Sequence, residues 1–326
     1  VTAAVGVETC TVSAGGANNV TVNAGQLGVN VTGNAANVTT VTVGGNAVTG
    51  TYALGNGADV IVATTGANIT GVNAGALTTA ETLNLTGTIT MTAAQYGNGT
   101  TTGLTTNAII NGGVADRINI SDAFNAAIGA QANVVETVAL QAAGNDTVNV
   151  TTGAAADFIG TLDISAGGND TITLTNAAQN AGTANSMTIA GFTATAGANM
   201  DVIRVVDTGV ATISGPLTAV NAGANTNYGG AVNSVIEIEN GGVVTLADVG
   251  AGNTVETLIG NAVGNLANGT YTVVVYGGTA NANAGIYSLV SAAAGGDATA
   301  ANITVELLGV VTGVGVNGLA GGNFAI

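Results

Sequence analysis

Apolar residues alternate with Thr or Asn in short runs throughout this chain. Examples are Asn19-Val-Thr-Val-Asn23, Thr39-Thr-Val-Thr-Val43, Thr147-Val-Asn-Val-Thr151 and Thr171-Ile-Thr-Leu-Thr175. Successive side chains of an extended strand point to opposite faces, so a period of two sorts each run into an apolar face and a polar one. A helix would need a period near 3.6 and gains nothing from this pattern. Between the runs lie clusters such as Ala14-Gly-Gly-Ala-Asn18 and Ala166-Gly-Gly-Asn-Asp170. Gly and Asn tolerate positive φ, so these read as turns. The one proline, Pro216, fits a strand-rich chain, because proline removes a donor from a sheet ladder. The expected fold is all-β.

Imperfect repeats refine that expectation. A Glu-Thr step recurs as Glu8-Thr-Cys-Thr-Val12, Glu81-Thr-Leu-Asn-Leu85, Glu136-Thr-Val-Ala-Leu140 and Glu256-Thr-Leu-Ile-Gly260. The first three read as strands entered by one glutamate. Units of strand plus turn suit a β-solenoid, like a parallel β-helix, in which each rung buries its apolar face against the next. A β-sandwich gives a similar pattern and stays open as the alternative. Longer apolar runs begin near residue 200, among them Tyr271-Thr-Val-Val-Val-Tyr276. The predicted division is a Thr/Asn/Gly-rich repeat domain over 1–198 and a β-rich C-terminal domain over 199–326. Short helices are expected at most, with candidates within 122–142 and 245–265.

The charge inventory excludes whole classes of function. Among 326 residues there are 18 Asp and Glu but only two cations, Arg117 and Arg204, for a net charge of −16. Nucleic acid binding needs clustered cations to displace counterions, and attraction to anionic lipid heads needs the same. With no His and no Lys, the commonest general base, Schiff-base chemistry and the phosphate-loop lysine are all missing. A carboxylate pair could still run glycoside hydrolysis, but the chain has no Trp to form a sugar platform. No enzyme is expected. Cys10 stands alone, so no internal disulfide framework exists. No run reaches the roughly 18 apolar residues of a membrane helix, and none reads as a signal peptide. Val1 in place of Met fits a processed or an incomplete start. Charged residues are 6% of the chain, against about a quarter in ordinary soluble domains, so copies carry few of the charges that keep strands apart.

Three Gly-x-Asp turns lead into strands: Gly57-Ala-Asp-Val-Ile-Val62, Gly144-Asn-Asp-Thr-Val-Asn149 and Gly168-Asn-Asp-Thr-Ile-Thr173. Each matches the second half of the calcium β-roll nonapeptide, whose glycines turn carbonyls toward the ion and whose Asp supplies charge. Asp59, Asp146 and Asp170 are therefore the candidate Ca²⁺ ligands. The other reading is three solvent-exposed aspartates in glycine turns.

Taken together, the Glu-Thr strands, the Gly-x-Asp-Thr-Val/Ile turns and the Thr/Ala/Gly/Asn bias resemble RTX-type bacterial proteins. They are most similar to surface-layer (S-layer) proteins exported by type I secretion. Asp201-Val-Ile-Arg-Val, Thr272-Val-Val-Val-Tyr-Gly-Gly278 with Ala284-Gly-Ile-Tyr287, and Val305-Glu-Leu-Leu-Gly-Val-Val311 resemble that family's terminal region. The ending Asn323-Phe-Ala-Ile326 is similar to an uncleaved secretion signal. The resemblance implies an extracellular or cell-surface location, calcium binding, and assembly with copies of itself into a layer or filament. The tandem β-roll and the cell-anchoring domain of that family are not evident. An RTX-like adhesin or matrix module that holds a cell-surface glycan is the alternative.

Overall fold

The structure is a computed structural model. It describes residues 9–11, 18–22, 30–32, 39–44, 47–50, 52–53, 59–72, 80–85, 87–96, 109–111, 117–123, 125–128, 137–141, 143–150, 160–176, 187–194, 199–207, 218–221, 226–227, 235–239, 263–264, 266–276, 283–292, 302–315, 318–319 and 321–325. The chain is all-β. It divides into two compact units, Val1–Ala143 and Gly144–Ile326. The boundary expected at 198/199 falls inside the second unit.

Unit 1 holds β1 (Thr9–Thr11), β2 (Asn18–Val22), β3 (Asn30–Thr32), β4 (Thr39–Val43), β5 (Ala47–Gly50), β6 (Tyr52–Ala53) and β7 (Asp59–Ala63). It continues with β8 (Asn68–Val72), β9 (Ala80–Leu85), β10 (Thr88–Met91), β11 (Ile109–Asn111), β12 (Arg117–Ile120), β13 (Asn125–Ile128) and β14 (Thr137–Leu140). One helical turn, Ala93–Tyr96, interrupts the strands. From β7 to β12 successive strands alternate between two sheets, one ordered β11-β9-β7-β4-β2 and the other running β14-β12-β10-β8-β5. Each strand thus pairs in parallel with a strand from the preceding turn of chain. The register stacks like on like: Ile89 pairs with Ile118 and Ile118 with Val138, while Met91 pairs with Ile120 and Ile120 with Leu140. All six are at most 1% exposed. Burying such a side chain contributes roughly 1.5–3 kcal/mol, so these columns hold the sheets together. The intervening Thr88, Thr90, Arg117 and Asn119 are only half-buried.

The strands begin where the sequence places them. The threonines of the first and third Glu-Thr steps begin β1 and β14, β9 contains the second step, and the alternating runs become β2, β4 and, in unit 2, two further strands. Glu256 lies outside the described residues. Within 122–142, a candidate for a short turn or helix, the described residues include β13 and β14. There, Val138 and Leu140 complete apolar columns that a helix could not reach, and this outweighs local propensity. Of the second candidate, only residues 263–264 are described, as a strand.

Unit 2 holds β15 (Thr147–Val150), β16 (Thr161–Asp163), β17 (Thr171–Asn176), β18 (Thr188–Ala190), β19 (Val202–Asp207), β20 (Thr218–Asn221) and β21 (Thr226–Asn227). After these come β22 (Val235–Glu239), β23 (Val263–Gly264), β24 (Gly269–Tyr276), β25 (Asn283–Ser291), β26 (Ile303–Thr312) and β27 (Phe324–Ala325). One sheet runs β15-β17-β19-β27, and a second runs β16-β18-β26-β25-β24-β22-β20. The first is parallel, with Val148, Ile172 and Ile203 in one buried column. Antiparallel pairing, which the sandwich alternative requires throughout, appears among the described pairings only in β24-β25-β26. Together with β22, these strands carry a core of Ile236, Ile238, Tyr271, Val273, Tyr287 and Leu289. The Tyr287 ring lies over Gly285, where an added Cβ would come within 2.7 Å of it.

Candidate functional site

The sequence motif Gly-Asn-Asp occurs at 144–146 and again at 168–170, and unit 2 stacks the two copies directly. Strand pairing fixes this: Thr147 faces Thr171 and Val148 faces Ile172, so the turns before them fall into line. The glycines permit the close approach. Gly168 has φ of +141°, and a Cβ there would sit 1.9 Å from the Gly144 carbonyl oxygen. No other residue fits that gap.

The stacking turns the aspartates into a ladder. Asp146 donates its backbone N–H to Asp170 Oδ1 at 2.9 Å, and Asp170 donates its own to Asp201 Oδ1 at 3.0 Å. The second oxygen of Asp201 accepts the Thr193 N–H at 2.6 Å. Carbonyls continue the pattern, with Asp146 O accepting from Thr171 N and Asp170 O accepting from Val202 N, both at 2.8 Å. At the lower end, Asn323 Nδ2 donates to Asp201 O at 2.9 Å. Beside this runs an amide step, in which Asn169 N–H donates to Asn145 Oδ1 at 2.9 Å.

All three aspartates are buried, with Asp146, Asp170 and Asp201 at 2%, 1% and 2% exposure. This corrects the reading of Asp146 and Asp170 as solvent-exposed turn residues. Stacked rungs cover both carboxyls, a consequence of register that no single turn reveals. Burial raises the Asp170 carboxyl to about 6, against an opposing hydrogen bond from Asp146 and with help from the charges of Asp201 and Asp146. The Asp201 carboxyl is also raised, first by burial, while its bonds from Thr193 and Asp170 pull the other way.

The structure therefore brings together two of the three candidate calcium ligands and adds Asp201. The signal for Asp201 was present in the apolar alternation that follows it, but no glycine two residues before it marks a turn. Asp59 opens β7 in the other unit, and its side chain lies outside the described set. One oxygen of Asp170 and both oxygens of Asp201 accept main-chain N–H groups, which hold these carboxyls in place within the stack. Among the described residues, no group of three or more His, Cys, Asp or Glu side chains is placed to hold a metal ion. Cys10 lies in β1, with its side chain also outside the described set. Among the described residues, no helix is long and apolar enough to cross a membrane.

Comparison with known proteins returned no matching family model, no matching curated protein and no matching solved structure.

Proposed function

We propose that this chain is a structural protein that assembles with copies of itself outside the cell, as a surface layer or a filament. The observation that carries this reading is the parallel stacking of strands in sheets that, among the described residues, finish in edge strands. Among the described strands, β2 and β11 end one sheet of unit 1, while β20 and β27 end the sheets of unit 2. An end strand presents a row of N–H and C=O groups with no strand partner, a template for pairing with another chain. Natural proteins usually guard such edges with charge, above all lysine, and this chain has none. The side-chain inventory supports a non-catalytic role, since His and Lys are both missing.

With 18 acidic residues against two arginines, copies brought together would repel unless cations intervene. Calcium, an oxygen-seeking ion, suits that task between acidic surfaces. Secretion by the type I route and kinship with RTX surface-layer proteins remain part of this proposal, supported by the motifs alone. An adhesin holding a surface glycan is the second reading.

Negative-stain electron microscopy of purified full-length protein, with and without about 1 mM Ca²⁺, separates these readings. Ordered sheets or filaments are expected with calcium, and chelator should disperse them. Monodisperse single particles at high concentration would sink the assembly reading, and glycan binding by such particles would favour the adhesin.

A further inference from the structure

We propose that Arg204 is the docking point on unit 2 for a carboxylate of a second copy of this chain. The inference deepens the self-assembly reading and rests on it. Contact between two chains of charge −16 is repulsive almost everywhere. Without a bridging metal ion, attraction between charges can arise only where Arg117 or Arg204 meets an acid, because the chain has no other cationic side chain.

The two arginines are placed differently. Arg117 opens β12, and its Nε donates to Asn119 Oδ1 of the same strand at 2.8 Å, so that side chain is held within its own sheet. Arg204 stands on β19 between Ile203, which is fully buried, and Val205. It therefore points to the face opposite the apolar column. Its neighbours across the sheet are Thr173 on one side and Ala325 on the other, and neither offers a charge. The side chain is half-buried, and its Nε is covered without a hydrogen-bond partner. No described carboxylate pairs with it.

This is an uncommon arrangement in a strongly acidic chain. A partly desolvated guanidinium attracts anions more strongly than one in open water, because less solvent screens it. With Nε covered, the terminal Nη1 and Nη2 groups of its planar fork can donate two parallel N–H bonds to a carboxylate, which sets orientation as well as attraction. An acidic side chain of another copy is the partner of matching chemistry, with 18 available per chain.

The test compares wild type, Arg204→Gln, Arg204→Lys and Arg117→Gln as full chains, by sedimentation and light scattering across concentration. Circular dichroism and melting show that each variant is folded. Arg204→Gln should raise the concentration needed for assembly by at least about tenfold, since breaking a desolvated charge pair is costly. Arg204→Lys should recover part of the loss, and Arg117→Gln should assemble like wild type. The gap between wild type and Arg204→Gln should narrow as NaCl rises from about 50 mM to about 500 mM, because salt screens the attraction that only the wild type has. A folded Arg204→Gln that assembles like wild type overturns this inference and leaves self-assembly standing. Equal loss in both arginine variants overturns it too, since net charge alone would then explain the effect. Should Arg204→Gln fail to fold, a folded Arg204→Met that assembles like wild type is the overturning result. A wild type that never assembles overturns the broader reading as well.

Discussion

Asp170 shows how one buried carboxyl links sequence to stability. Burial raises its pKa from 3.8 to about 6 in the folded chain. The folded state therefore holds the proton more tightly than the unfolded state does. That contribution is fully present below about pH 4 and is lost as pH rises through about 6. Asp201 shifts in the same direction. Unit 2 should be more stable at pH 5 than at pH 7.5, by on the order of 2 kcal/mol, when denaturant midpoints are compared. Asp170→Asn keeps an oxygen for the Asp146 N–H and removes the charge. It should match or exceed wild type at pH 7.5 and flatten the pH dependence. Asp170→Ala leaves that buried N–H without an acceptor and should cost about 1–3 kcal/mol. If Asn and Ala behave alike, the ladder bond contributes nothing measurable.

At the scale of elements, the turn before β17 decides how closely two rungs stack. Gly167 and Gly168 both have positive φ, at +85° and +141°. A Cβ at Gly167 meets nothing within 4 Å, whereas one at Gly168 meets the Gly144 carbonyl. Gly167→Ala should therefore cost only backbone strain, about 1–2 kcal/mol. Gly168→Ala must also push the rungs apart, breaking the Asp146–Asp170 bond, and should be clearly the more damaging in thermal melts. Equal effects would mean the two turns are not in close contact. The strands themselves were legible beforehand. Alternation located β2, β4, β15 and β17, and Glu-Thr located β1, β9 and β14. The region 122–142 misled because its alanines and single Phe lack a clear period, and only neighbouring columns decide that Val138 and Leu140 lie in a strand.

For the molecule as a whole, scarcity of cations has a simple consequence. Trypsin cleaves only after Arg117 and Arg204, which lie in strands β12 and β19 paired on both sides. Native protein should resist digestion, because cutting needs local opening of a paired strand. In denaturant the chain should yield at most three fragments, seen by mass spectrometry. Rapid native cleavage at Arg204 would show that β19 opens readily and would weaken the account of the ladder, whose last member is its neighbour Asp201.

Local pattern alone determined that this chain is all-β, where several of its strands begin, and which chemistries lie beyond its side chains. These follow because alternation, turn residues and residue inventory act over a few positions at a time. Tertiary structure decided the rest. Parallel register set Asp146, Asp170 and Asp201 on successive rungs, although they are separated in sequence by unequal loops. It buried carboxyls that a single turn would leave in water, and it left Arg204 on a neutral face while tying Arg117 to Asn119. The physical reason is the same in each case. Stacking is a long-range match between rungs, and which side chains it covers depends on register rather than on any one strand.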